Sequence, residues 1–141
     1  MRSFLDTNLL VYADAADGGD KQLAAIATIR EHMLAGTGVI STQVLQEYVS
    51  AALKKLRLPQ ALIRSRLGFY AGFEVVPASV PLIVSALDLQ TLHSLSFWDA
   101  MILQAARQSG CAVLLSEDMQ EGATLVGVRI VNPLRPGASF A

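Results

Sequence analysis

Asp6 directly follows the short apolar run Ser3-Phe4-Leu5, and Asp118 comes just after a second run, Val113-Leu114-Leu115. In a parallel α/β sheet, ligands bind beyond the carboxyl ends of the strands, so acids at two such ends can converge on one site. Either acid alone reads equally well as a turn residue or a helix cap. Asp99 carries more information. It follows Ser96 in a helical segment and lines up with Ile102, Leu103 and Ala106, on or beside the apolar stripe. A carboxylate there needs a partner or a metal ion, because burying an isolated charge is costly. The competing reading is a capping box in Ser96-Phe97-Trp98-Asp99, where an acid suits the helix dipole. Glu47 shares a helix face with Gln43, Ser50 and Lys54, away from the apolar stripe, which by itself describes a solvated face. Carboxylates without His or Cys companions make a hard oxygen site, suited to Mg²⁺ or Mn²⁺.

Other chemistries lack their residues. There is no Walker loop, no G-x-G-x-x-G and no G-x-S-x-G elbow. His32 and His93 are far apart, have no H-E-x-x-H or Cys partners, and read as exposed helix residues rather than zinc ligands. Asp14, Asp17 and Asp20 do not have EF-hand spacing and read as a solvated loop, with Asp20 capping a helix.

The elements that would hold the acids follow from the periodicity. Apolar runs at 3–5, 39–41, 74–76, 111–115 and 128–131 predict strands. Between them, 21–34 carries helical spacing through Leu23, Ile26, Ile29 and Met33, and Thr42 is placed to cap a helix striped by Val44, Tyr48 and Ala52. Further helices are expected from Pro59 to about Gly72, from Ser79 to about Leu92, and from Phe97 to Ser109. Helical crossovers imply a mainly parallel sheet in a three-layer α/β/α sandwich, and the 141 residues suit a single domain over 1–141.

Composition narrows the class. Hydrophobic residues make up 52% and charged residues 16%, against about 25% charged in ordinary soluble domains. That excludes disorder, and the net charge of -1 excludes a histone-like protein. No run approaches the roughly 18 apolar residues of a membrane span. The early acids argue against a signal peptide, and the one cysteine, Cys111, fits a reducing cytoplasm.

Taken together, four segments resemble a PIN-domain ribonuclease, and more narrowly a VapC-type toxin of a type II toxin–antitoxin system. They are Phe4-Leu5-Asp6-Thr7-Asn8, then Ile40 through Glu47, then Ser96-Phe97-Trp98-Asp99-Ala100, and finally Leu114-Leu115-Ser116-Glu117-Asp118. All occur in the family's order along essentially the whole chain. The resemblance implies an acidic site of Asp6, Glu47, Asp99 and Asp118, supported by Thr7, Asn8 and Ser116. It turns the polar face of Glu47 into a cleft. One departure is Glu121-Gly122, where many relatives carry an aromatic residue, which leaves open whether Glu117 shares the role of Asp118.

The implied chemistry is Mg²⁺- or Mn²⁺-dependent hydrolysis of RNA, leaving 5′-phosphate and 3′-hydroxyl ends. The implied partners are an RNA substrate, a cognate antitoxin laid along an apolar groove, and a second copy in a homodimer. Between Tyr48 and Phe73 there is no acid, but Lys54, Lys55, Arg57, Arg64 and Arg66 all fall there. They are either a strip for RNA phosphates or ordinary solvated helix surface. Two other functions compete: a non-catalytic PIN module that binds RNA or protein, and a phosphatase-like enzyme with Asp6 as nucleophile.

Overall fold

Short apolar strands running straight into capped helices build this chain. The computed structural model describes residues 1–135, so the last six residues of the expected domain lie outside the described part. Strand β1 (Ser3–Leu5) ends at Asp6, whose carboxylate accepts from the Thr7 amide and so starts α1 (Thr7–Ala13). Helix α2 (Gly19–Ala35) ends at Gly36 in the left-handed conformation and leads into β2 (Gly38–Ser41). Ser41, rather than Thr42, caps α3 (Thr42–Lys54) by accepting from the Val44 amide, and Pro59 precedes α4 (Gln60–Tyr70). After β3 (Glu74–Val76), Ser79 caps α5 (Val80–His93) and Ser96 caps α6 (Phe97–Gln108). Strands β4 (Val113–Leu115), β5 (Thr124–Leu125) and β6 (Val128–Val131) complete the order.

The strands form one sheet in the order β3-β2-β1-β4-β6-β5. All pairs are parallel except β5–β6. The first crossovers step outward from β1 to β2 to β3, and the next returns across the sheet to β4. Right-handed crossovers therefore put α1 to α4 on one face and α5 and α6 on the other, giving the three-layer sandwich expected. The change of direction between β1 and β4 is the topological switch point, where open α/β sheets bind ligands. Asp6 and Asp118 follow those two strands.

The core is Phe4, Leu5, Val39, Ile40, Leu114, Leu115 and Ile130 from the sheet, flanked by helix residues such as Leu9, Leu10 and Tyr48. Helix α6 is buried on every side from Ala100 to Ala106, which accounts for much of the high apolar content.

Several local expectations are corrected. Helix α1 and the short β5 are additions. The β5–β6 turn places Val126 and Gly127 at positive φ, 45° and 81°, as a tight primed hairpin turn requires. The buried face of α2 is Ala25, Thr28, Ile29 and His32, not the stripe through Leu23 and Ile26, both of which are exposed. Small residues at 25 and 28 let the helix approach closely and leave its larger apolar side chains outside. His32 is buried, not exposed, and its Nδ1 lies 2.7 Å from Thr37 Oγ1; burial lowers its pKa. Asp20 lies in the first turn of α2, but the cap residue is Gly18.

Asp14 is not a solvated loop residue. Its carboxylate accepts from the hydroxyls of Tyr48 at 2.5 Å and Tyr70 at 3.1 Å, and pairs with Arg66 at 3.0 Å. Burial pushes both phenols upward, and the bound carboxylate adds to this. Asp14→Ala strips two buried phenols and a guanidinium of their acceptor. Urea unfolding should show a loss of about 2–3 kcal/mol, short of the ~3–5 for a fully buried pair because Arg66 retains 30% side-chain exposure.

Candidate active site

A cleft of about 670 Å³ opens over the switch point and is lined by Asp6, Thr7, Asn8, Gln43, Glu47, Asp99 and Asp118, among others. Each acid arrives from a different element. Asp6 ends β1 and caps α1; Glu47 points from α3; Asp99 sits in the first turn of α6; Asp118 follows β4. Ser116, fully buried behind the cleft, ties two of them together. Its hydroxyl donates to Asp6 Oδ2 at 2.7 Å and accepts from the Asp118 amide at 3.2 Å. The Thr7 hydroxyl donates to Glu47 Oε1 at 2.6 Å, and the Asn8 amide donates to Asp118 Oδ2 at 3.0 Å. The three supporting residues named from sequence thus each bond to at least one of the acids.

The acids feel one another. Burial pushes the Asp6 carboxyl up to about 6; the bonds from Ser116 and Thr7 pull it down, and Glu47 and Asp99 push it up again. Asp99 is raised by burial, drawn back by Ser96, and raised further by Asp118 and Glu47. Such mutual repulsion is relieved by a cation. Among the described residues, no three His, Cys, Asp or Glu side chains converge into a ready metal cage. The donor set nevertheless fits a small hard cation. Mg²⁺ keeps several of its waters and takes only one or two direct carboxylates, so acids spaced around a wet cleft suit it better than a closed cage would. Asp6, Glu47, Asp99 and Asp118 would hold the ion directly or through water.

Ser116→Ala tests this wiring. Losing a hydrogen bond to a charged carboxylate costs about 1.5–3 kcal/mol, so the Asp6 pKa should rise further. Any activity that needs ionised Asp6 should fall roughly 10- to 100-fold near pH 6 and recover as the pH rises. A pH–rate profile identical to wild type would contradict the link.

The basic residues have different surroundings. Lys55 lines the cleft, while Arg66 turns to Asp14 and lines a different groove. Lys54, Arg57 and Arg64 are exposed and line neither space. Sequence reasoning did not single out Tyr12, Lys21 or Gln43. Glu117 also lines the cleft, but its carboxylate receives the Tyr12 hydroxyl at 3.0 Å and an ion pair from Lys21 at 2.7 Å, whereas Asp118 is close enough to Asp99 to raise its pKa. Gln43 stands one helical turn before Glu47, and that spacing was the available signal.

A βα sheet with acids gathered at its switch point defines a class, and comparison with known proteins names it. Residues 3–120 match the PIN domain model. The chain therefore belongs to the PIN-domain family. It is similar in structure to VapC20 from Mycobacterium tuberculosis, a sarcin-ricin-loop-cleaving toxin, at 18% identity and a TM-score of 0.64, covering 82% of this chain and 91% of that one. A toxin–antitoxin complex from Klebsiella pneumoniae matches at 20% identity and TM-score 0.67, over 93% and 97% of the two chains. The DNA-bound VapBC of Salmonella typhimurium matches at 20% and 0.67, over 92% and 96%. At such identities the likeness is one of fold. A search of curated protein sequences finds no match.

Proposed function

We propose that this chain is a divalent-metal-dependent endoribonuclease and the toxin of a toxin–antitoxin pair. The observation that carries the reading is the meeting of Asp6, Glu47, Asp99 and Asp118 in one cleft at the switch point, with the carboxylates of Asp6, Glu47 and Asp118 held by side-chain hydrogen bonds and Asp99 fixed in the capped first turn of α6. A bound Mg²⁺ or Mn²⁺ would bind phosphate oxygens, stabilise charge at the phosphorus and lower the pKa of a coordinated water. The chain's own part is placement. Asp6 and Asp99, unfavourable as close bare anions, supply the negative charge that holds the cation. Asp118, steadied by Asn8 and the Ser116 hydroxyl, would add a further carboxylate for the cation. Glu47 is bonded by Thr7 at Oε1, and its Oε2 takes the proton from the attacking water. Lys55 at the cleft edge steadies a neighbouring phosphate. With the 3′-oxygen as leaving group, attack by water leaves 5′-phosphate and 3′-hydroxyl ends.

The partner assignment rests on a second feature. Ile26, Met33, Leu34, Leu62 and Phe69 line an apolar groove of about 810 Å³ between α2 and α4. All but Met33 are substantially exposed in the isolated chain. Contiguous exposed apolar surface of this kind marks an interaction site; the solved toxin–antitoxin neighbours support an antitoxin as partner, and the groove is where we place it. The same reading makes the protein a single-domain cytoplasmic homodimer. Among the described residues, no single helix is long and apolar enough to cross a membrane.

The test is cleavage of total cellular RNA by wild type and Asp6→Asn, each with Mg²⁺ or EDTA. Cleavage by wild type with Mg²⁺ alone is expected. Equal cleavage by both proteins would sink the assigned site, and no cleavage by either would favour the non-catalytic binding module.

A further inference from the structure

The acid cleft has a side chamber that the carboxylates do not explain. Gln43, Gln46, Glu47, Ser50 and Trp98 line a pocket of about 300 Å³. Gln43 and Glu47 also line the acid cleft, so the two spaces adjoin along α3. Trp98 is the one tryptophan of the chain, immediately precedes Asp99, and is 61% exposed. It is nonetheless held in place. Its ring packs edge-on against Phe97, with centroids 5.3 Å apart and planes at 70°, and its carbonyl accepts from Gln43 Nε2 at 3.2 Å. A large aromatic ring fixed at the edge of a reaction cleft leaves apolar surface in water that a bound ligand would cover.

The surroundings select that ligand. Gln46 and Ser50 offer neutral amide and hydroxyl groups that both donate and accept. Glu47 contributes negative charge, which disfavours a phosphate in this chamber. A neutral planar base has no such conflict. It presents a π-face to the indole and hydrogen-bonding edges to the amides, the usual way in which single-stranded RNA is held. The cation at the cleft edge, Lys55, lines the acid cleft but not this chamber. The backbone and the base thus have separate, chemically matched places.

We infer that Trp98, with Gln46 and Ser50, forms a subsite that stacks one nucleobase of the RNA flanking the bond to be cut, and so sets part of the sequence preference; this rests on the ribonuclease reading. Trp98 is a positioning residue for the substrate rather than a catalytic one.

Because the chain has a single tryptophan, its emission reports on this site alone. Full-length Asp6→Asn protein is titrated with a short single-stranded oligoribonucleotide and with a matched ribose-phosphate oligomer lacking bases. Affinity is followed in parallel by the anisotropy of an end label. The base-bearing oligomer should quench tryptophan emission to saturation and the abasic one should not. Trp98→Ala should weaken binding about 5- to 150-fold, and Trp98→Phe should restore most of it. With Mg²⁺ and an intact Asp6, Trp98→Ala should raise KM and leave kcat nearly unchanged. RNA bound without a change in emission overturns the subsite. So does cleavage by Trp98→Ala with an unaltered KM, which leaves the ribonuclease reading standing. A Trp98→Ala protein that changes its oligomeric state while keeping its RNA affinity assigns the ring to a protein contact and overturns the subsite too. Absence of both RNA binding and metal-dependent cleavage in wild type ends both proposals.

Discussion

Asp6→Asn is expected to abolish RNA cleavage and, in the same molecule, to stabilise the metal-free fold at neutral pH. Removing one charged ligand from a cation that stabilises several kcal/mol of transition-state charge should lower kcat/KM by about 10³-fold or more. The stability gain comes from burial. Asp6 is 7% exposed and its carboxyl is pushed up to about 6. Its folded-state pKa therefore lies above its unfolded value, and the folded chain holds the proton more tightly. The stability linked to that proton is fully present below about pH 4 and is lost as pH rises through 6. Above pH 6 the wild type carries a buried charge that asparagine never acquires, while asparagine still offers an acceptor to the Thr7 amide. In EDTA at pH 7.5, urea unfolding should place Asp6→Asn on the order of 2–3 kcal/mol above wild type. At pH 4 the difference should nearly vanish. Added Mg²⁺ should stabilise wild type and leave the variant unchanged. A variant less stable than wild type at pH 7.5 would show that Asp6 is held for folding rather than for a cation.

Glu47→Gln separates proton transfer from mere occupancy of the cleft. Glutamine has nearly the same size, and its carbonyl oxygen still accepts from the Thr7 hydroxyl, which now meets Glu47 at 2.6 Å. It cannot take a proton from water. Turnover should fall about 10²- to 10⁴-fold with little change in KM. Thr7→Val, which keeps the acid but removes its anchor, should cost about tenfold, as expected for the loss of one hydrogen bond to a charged group. If Glu47 lay on an ordinary solvated face, both variants would stay within a few-fold of wild type in single-turnover measurements.

Some of this site was legible in the chain and some was not, for identifiable reasons. Asp6 and Asp118 could be read because each follows an apolar run too short to be anything but a buried strand. Asp99 could be read because it interrupts a helical stripe that is otherwise buried, and the structure buries α6 all round from Ala100 onward. Glu47 could not be placed by periodicity. A helical wheel shows which residues share a face, not whether that face meets water or a cleft, and only the family resemblance pointed inward. Asp14 was misread for a related reason. Its partners Tyr48, Arg66 and Tyr70 come from α3 and α4, so nothing local distinguishes it from Asp17, which is exposed. Helix α1 escaped notice because it is only seven residues long, too short for a clear period, and starts at a residue already assigned to the site. On α2 the apolar pattern was real but its direction was not. Ala25 and Thr28 pack inward, while Leu23 and Ile26 stay outside and Ile26 joins the apolar groove.

The chemical ends of the RNA fragments test most directly whether the acid cleft hydrolyses a phosphodiester by metal-dependent attack of water. A defined single-stranded RNA is incubated with the full chain in Mg²⁺, Mn²⁺ or EDTA, and the new termini are mapped by ligation and by phosphatase sensitivity. Water attack at the acid cleft with the 3′-oxygen as leaving group predicts 5′-phosphate and 3′-hydroxyl ends, formed with Mg²⁺ or Mn²⁺ and absent in EDTA and in Asp6→Asn. Fragments ending in a 2′,3′-cyclic phosphate would mean that the ribose hydroxyl, not water, is the nucleophile, and cleavage that persists in EDTA would mean that no divalent cation held by the four acids is needed; either result contradicts the account.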